Sequence, residues 1–193
     1  MEAKLSEHAS AVSGNIPRAR AGEEATARAT RTTGGGTLGG VRLLLLGMWL
    51  GAAVLFSFAV APGAFAVLPA RELAGAIVTR IIGVVNVGGF LVALLLLATA
   101  FARRGATGKR AWILEAVALA LLALATCAGH WLIAARMAAL RVSMGRPIDE
   151  VAQSDPLRLA FNSLHGYSVA AMTTAMLAAL VAFILIARRN RNV

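Results

Sequence analysis

The chain has 193 residues, of which 59% are hydrophobic and 15% charged, and its formal net charge is +10. A soluble domain has about half apolar and about a quarter charged residues, so this composition excludes an ordinary soluble domain. The arginines lie at the ends of long apolar runs and on the N-terminal segment, which indicates membrane topology rather than nucleic-acid binding. The single cysteine, Cys127, excludes an internal disulfide and a cysteine-rich zinc site.

Residues 1–40 are polar, mixed in charge and glycine-rich at their end. They have too little apolar surface to fold, so we expect a disordered N-terminal tail. The segment lacks the apolar core of a secretory signal, and its four glutamates argue against an organellar transit peptide. A start codon assigned too early is the other interpretation.

The apolar runs predict four transmembrane helices within residues 41–190, at about 41–61, 81–102, 111–135 and 159–187. The first ends at Pro62-Gly63, a pair that stops helices. Residues 64–80 follow, and the i, i+4 spacing of Leu73, Ile77 and Ile81 gives them one apolar stripe. We expect a short helix there, lying at the membrane interface.

The distribution of charge predicts the orientation of these helices. The loop at residues 103–110 and the C-terminus are basic and contain no acid, whereas the other two loops mix both signs. The positive-inside rule therefore predicts that both termini face the cytoplasm. Short loops make sequential helices antiparallel, which predicts an all-α, up-down four-helix bundle. The high arginine and alanine content indicates a GC-rich genome and hence a bacterial inner membrane.

All four predicted helices bring polar side chains to one level. A helix rises about 1.5 Å per residue, which places Ser57, Asn86, His130 and His165 roughly 22–34 Å from the cytoplasmic side of a hydrocarbon core about 30 Å thick. Lipid offers polar groups no partner, so they tend to face the bundle interior. This convergence predicts a polar pocket or clamp near the outer leaflet.

Histidines on two predicted helices allow several chemistries. Asn162, His165 and Ser168 share one face of the fourth helix, and His130 lies on the third. Two facing histidines could ligate the iron of haem b, and histidine with methionine or cysteine could bind copper. Histidine also serves in proton transfer. The plainer interpretation is hydrogen bonding to neighbouring helices, with methionines and Cys127 filling the core, and we therefore expect no cofactor.

Small residues predict close helix packing. Gly47 and Gly51 form a GxxxG pattern, which packs either against another helix of the bundle or against a second copy of the chain in a homo-oligomer. Trp49 lies deep enough to need a protein partner for its N–H group. Glu115, one turn inside the third helix, is expected either to reach Lys109 or Arg110 or to interact with the positive N-terminus of that helix.

A set of residues spread over the membrane part resembles one family: Trp49 with Gly51, Phe56, Ala61-Pro62, Phe65, Arg71 with Ala74-Gly75, and the stretch from Phe161 to Ser168. It is similar to the transmembrane protein 205-like family, or domain of unknown function 4149, over about residues 43–186. The pattern Phe-x-x-Leu-His-x-x-Ser at 161–168 is its most specific part. The resemblance implies a four-helix membrane protein without an established biochemical activity.

We expect a non-enzymatic, multi-pass membrane protein with a polar outer-leaflet pocket or clamp around His165, which holds a small ligand or couples to a partner. The alternatives are a haem- or copper-binding redox protein using His165 and His130, and a small-solute transporter. The transporter hypothesis lacks a charged pair at the bilayer midplane. The candidate polar cluster consists of Arg71, Asn86, His130, Asn162, His165 and Ser168.

Overall fold

A computed structural model describes residues 37–106 and 108–191, and within these ranges the chain forms helices and short connections without a β-strand. Four long helices account for most of it: α1 (Thr37–Val67), α2 (Arg71–Ala102), α3 (Lys109–Met144) and α4 (Pro156–Asn190). Each is long and apolar enough to cross a membrane. The predicted all-α bundle is confirmed. The predicted tail lies outside the described residues, except for 37–40, which begin α1.

The first helix does not end at Pro62-Gly63, where the sequence predicts its end. It continues to Val67 because the preceding segment, Phe56–Val60, is π-helical, and a regular α segment follows at Ala61. Pro62 therefore occupies the first turn of that segment, where a missing backbone N–H costs little. The helix ends when Leu68 adopts an extended conformation.

The predicted interfacial helix at 64–80 is not a separate element. Its first residues finish α1, and residues 71–80 form the opening turns of α2, which runs unbroken for 32 residues. No proline occurs between Arg71 and Ala102, so the apolar stripe of residues 73–81 continues into the second transmembrane helix.

The third and fourth helices are also longer than predicted. The third extends to Met144 and ends at Gly145, whose φ of 62° is the left-handed conformation that glycine adopts after a helix. The fourth begins one turn early because Asp155 caps it, accepting a hydrogen bond from the Leu157 backbone N–H, and Pro156 fits its first turn.

The bundle core is built mainly from alanine and leucine, and α3 packs against both α2 and α4. Trp49 joins α1 to α2, because its indole Nε1 donates a hydrogen bond 2.9 Å long to the Val85 carbonyl oxygen. Its need for a protein partner is thus confirmed. A Cβ atom at Gly89 would lie only 2.6 Å from this indole, so the close approach of α1 and α2 requires glycine there.

The two glycines of the GxxxG pattern face different surroundings. A Cβ at Gly47 would lie 3.4 Å from the Phe183 ring of α4, whereas a Cβ at Gly51 would meet nothing within 4 Å. Gly47 therefore faces α4 within the chain. A second copy bound through these glycines stays a prediction, and only Gly51 offers it an open surface.

Large apolar side chains cover the outside of the bundle. Leu44, Phe58, Val84, Leu124 and Leu177 are each more than half exposed, and they belong to all four helices. Soluble monomers rarely expose apolar surface on this scale, whereas lipid tails remove its cost. The outer surface is therefore that of a protein embedded in a bilayer.

Candidate functional site

The helices alternate in direction, so the bundle has two chemically different ends. At one end Arg42 of α1 contacts Leu96 of α2, Glu115 of α3 and, through that carboxylate, Arg189 of α4. We call it the basic end. At the other end Arg71 forms an ion pair with Asp149 of the connection between α3 and α4. We call it the mixed-charge end.

Two π-helical segments lie at one height, in the half of the bundle nearer the mixed-charge end. Phe56–Val60 in α1 and Ala128–Ala134 in α3 both begin about 28 Å from the start of their helices. Single π turns interrupt α-helices frequently at functional sites. These two contain Ser57 and His130, which the sequence places at the predicted polar level.

Asn86 and His130 lie at the interface of α2 and α3. Asn86 is buried, and its amide nitrogen lies 3.1 Å from where a Cβ of Gly129 would stand. The His130 ring lies 3.7 Å from the corresponding position at Gly83, one turn before Asn86, and stacks edge-on against Trp131 at 4.7 Å. The Nδ1 atom of His130 is buried and has no hydrogen-bond partner among the described residues.

The predicted residues of α4 have different surroundings. The side chains of Asn162 and His165 are exposed, and Ser168 is half-buried. Arg71 pairs with Asp149 of the connection before α4 at 3.7 Å, and 75% of its side chain is exposed. Such a surface pair contributes only about 0–1 kcal/mol. The structure thus brings Asn86 and His130 to one interface and leaves Arg71, Asn162 and His165 at the surface.

Arg141, which links three helices at the mixed-charge end, lies in a segment that the sequence predicts to be a loop. Arg141 lies in the extended part of α3 and donates a hydrogen bond to the Thr79 hydroxyl of α2 at 3.2 Å. Its guanidinium also lies over the Phe161 ring of α4, 5.1 Å from the centroid. It therefore links three helices, which only the unpredicted length of α3 makes possible.

The basic end contains a buried ion-pair network. Glu115 Oε1 accepts a hydrogen bond from Nη2 of Arg42, which also donates to the Leu96 carbonyl oxygen at 3.1 Å. Glu115 Oε2 accepts from Nη1 of Arg189 at 2.6 Å. Glu115 thus binds Arg42 and Arg189 rather than the predicted Lys109 or Arg110. Sequence spacing gave no signal for these pairs, because their members lie on different helices.

In the part of the chain that the structure describes, no three side chains of the His, Cys, Asp and Glu types are grouped so as to hold a metal ion. A haem or copper site that uses His130 and His165 stays a prediction.

Four antiparallel helices with an apolar exterior and buried polar contacts at two heights define a multi-pass membrane protein. A family model described as "Domain of unknown function (DUF4149)" matches residues 44–146, more than half of the chain. The protein belongs to this family, as the resemblance in its sequence predicts. The match spans α1 to α3, so the Phe161–Ser168 stretch lies outside it. No curated protein and no solved structure matches the chain.

Proposed function

We propose that this protein is a non-enzymatic membrane protein that holds a small polar ligand between α2 and α3, beside His130 and Asn86. The single observation that carries the proposal is the buried Nδ1 atom of His130, which no described residue satisfies. The proposed site lies at the level where the sequence predicts polar side chains, and the proposal centres it on His130, whereas the sequence alone favoured His165.

The energetics of buried polar atoms support a ligand at this position. A buried polar group without a partner costs about 1–3 kcal/mol, which a ligand that hydrogen-bonds to Nδ1 would recover. The buried amide of Asn86, on the facing helix, offers both a donor and an acceptor. The π-helical segment Ala128–Ala134 contains His130, whose ring packs against Gly83 of α2.

Native mass spectrometry tests this function. The protein is purified in mild detergent from the membranes of the cells that express it. We expect the wild type to retain a non-covalent small-molecule adduct that His130→Leu loses. His165→Leu is the matched control, because it removes the same side chain from an exposed position on α4. An adduct that persists in His130→Leu, or that only His165→Leu removes, would contradict the proposal.

The same unpartnered nitrogen favours one alternative, a haem- or copper-binding redox protein using His130 and His165, since imidazole nitrogen ligates both metals. Oxidised and reduced absorption spectra of the purified protein distinguish the two. A Soret band lost in both His130→Ala and His165→Ala would favour haem, and metal analysis would report copper. A spectrum with only tryptophan and tyrosine absorption would argue against haem.

We further propose that the protein lies in a bacterial inner membrane with its basic end and both termini in the cytoplasm. The support is the charge of the loop at 103–110 and of residues 188–191, which is basic without an acid. A reporter fused after Val193 tests this orientation. Activity of a cytoplasm-specific reporter is expected, and activity of a periplasm-specific reporter would reverse the orientation.

A further inference from the structure

The basic end, at the opposite side of the bundle from His130, contains more basic than acidic side chains among the residues that the structure describes. Among the described residues, Glu115 is the one acid at this end, and it faces two arginines. The other basic side chains that the sequence brings to this end are Arg103, Arg104, Lys109, Arg110, Arg188 and Arg191. The described residues of the basic end therefore carry a net positive charge, which favours anionic partners.

Arg42 and Arg189 retain unused hydrogen-bond donors after pairing with Glu115. Nε and Nη1 of Arg42, and Nε and Nη2 of Arg189, are buried and without a partner among the described residues. Arg42 as a whole is only 1% exposed. Guanidinium N–H groups are always protonated and need acceptors, and a buried charged donor without one is costly. Each Glu115 oxygen accepts one hydrogen bond from these arginines, and the four remaining nitrogen atoms are left without an acceptor among the described residues.

We propose that the basic end binds one phosphate group, either in the headgroup of an anionic lipid or as inorganic phosphate. A phosphate presents several anionic oxygens and matches the planar fork of a guanidinium, which makes arginine its preferred partner. The two arginines flank one carboxylate. The proposed phosphate lies beside that carboxylate and accepts hydrogen bonds from both arginines. Its negative charge offsets the excess that Glu115 leaves.

The position of the arginines gives this site access to lipid headgroups. Arg189 lies at the last turn of α4 and keeps 20% of its side chain exposed. Arg42 lies about 8 Å inside the start of α1. A headgroup at the membrane surface therefore meets Arg189 first and Arg42 behind it. Basic pockets between transmembrane helices commonly bind anionic headgroups in this way.

The test compares the full-length protein in nanodiscs of phosphatidylcholine alone with nanodiscs of an equal mixture of phosphatidylcholine and phosphatidylglycerol. A second arm, in neutral detergent, compares sodium phosphate with sodium chloride at matched ionic strength. The measurements are the melting temperature and, by native mass spectrometry, the number of phosphatidylglycerol molecules retained. We expect one retained lipid and a melting temperature raised by about 5 °C or more.

Three variants distinguish the site from general surface charge. Arg189→Gln removes partly exposed donors, and we expect roughly tenfold weaker binding or more. Arg141→Gln is the matched control, because it removes one arginine from the mixed-charge end, and it keeps the wild-type shift. Glu115→Gln removes the carboxylate that competes with phosphate for the arginines. Phosphatidylglycerol or phosphate is therefore expected to raise the melting temperature of this variant by more than it raises that of the wild type.

The outcomes assign the source of the phosphate or overturn the site. A shift with phosphatidylglycerol that inorganic phosphate does not reproduce identifies a lipid headgroup, and the reverse identifies free phosphate. If neither phosphatidylglycerol nor phosphate changes the wild-type melting temperature relative to its control, no phosphate binds. If Arg141→Gln abolishes the shift as fully as Arg189→Gln, the effect is general electrostatics and the proposal is wrong.

Discussion

The substitution Glu115→Gln tests whether the ion-pair network at the basic end holds the bundle together. The carboxylate is 2% exposed and accepts a hydrogen bond from an arginine on each of its oxygens. Glutamine has nearly the same shape, but it leaves two guanidinium groups facing each other without the anion between them. The expected result is therefore a large loss of folding free energy with little change in packing.

The magnitude follows from the burial of the pairs. Removing one partner of a buried ion pair costs about 3–5 kcal/mol, because the remaining charge stays buried and uncompensated. The exposed fraction of Arg189 and the remaining amide oxygen of glutamine place the expected loss at the low end, about 3 kcal/mol. A protein of this size loses about 2–4 °C of melting temperature per kcal/mol, which gives a decrease of roughly 6–12 °C.

Thermal unfolding followed by tryptophan fluorescence in mild detergent measures this decrease. Glu72→Gln is the matched control, since it is the same substitution at an exposed position of α2, and its effect is expected within about 0.5 kcal/mol. The double variant Arg42→Met with Glu115→Met should lose less than Glu115→Gln alone, because it removes both deeply buried charges. Equal melting temperatures for Glu115→Gln and Glu72→Gln would refute the reasoning.

Two further predictions concern packing and surface charge. Gly89→Ala places a methyl group against the Trp49 indole and should destabilise the protein by about 1–3 kcal/mol in the same unfolding assay, whereas Gly51→Ala, which meets open space, should not. Arg71→Ala should change the melting temperature by less than about 2 °C, because its ion pair is exposed, and Arg141→Ala should lower it more, because it loses a hydrogen bond and a cation–π contact. Equal effects of Gly89→Ala and Gly51→Ala would contradict the contact between Gly89 and Trp49. Equal effects of Arg71→Ala and Arg141→Ala would contradict the stabilising role of the Arg141 contacts.

The membrane fold was predictable because hydrophobicity and helix length determine it almost alone. The helix ends were less predictable, since Pro62 stops a helix in most contexts and is tolerated here only after a π-helical turn. Such turns leave no mark in hydropathy. They also rotate the residues that follow, so a constant 100° per residue no longer gives the correct face beyond His130.

The level of the polar residues along the helices was predictable from the sequence, whereas the side chains that face a neighbouring helix were not. Counting residues brought Asn86, His130 and His165 to one level, because the rise per residue is nearly constant. Which of them faces a neighbour depends on the rotation of each helix, and the structure buries Asn86 and exposes His165. Arg42 gave no signal at all, since an arginine near a helix end is typical of membrane topology.

The ion-pair network also constrains how the chain assembles during synthesis. Arg42 belongs to the first helix and Glu115 to the third, whereas Arg189 lies at the end of the last. A nascent chain that has inserted three helices therefore has a carboxylate with one of its two partners, and completion of α4 supplies the second. We expect a chain truncated before residue 189 to insert normally and yet be removed faster by membrane proteases than the full-length protein.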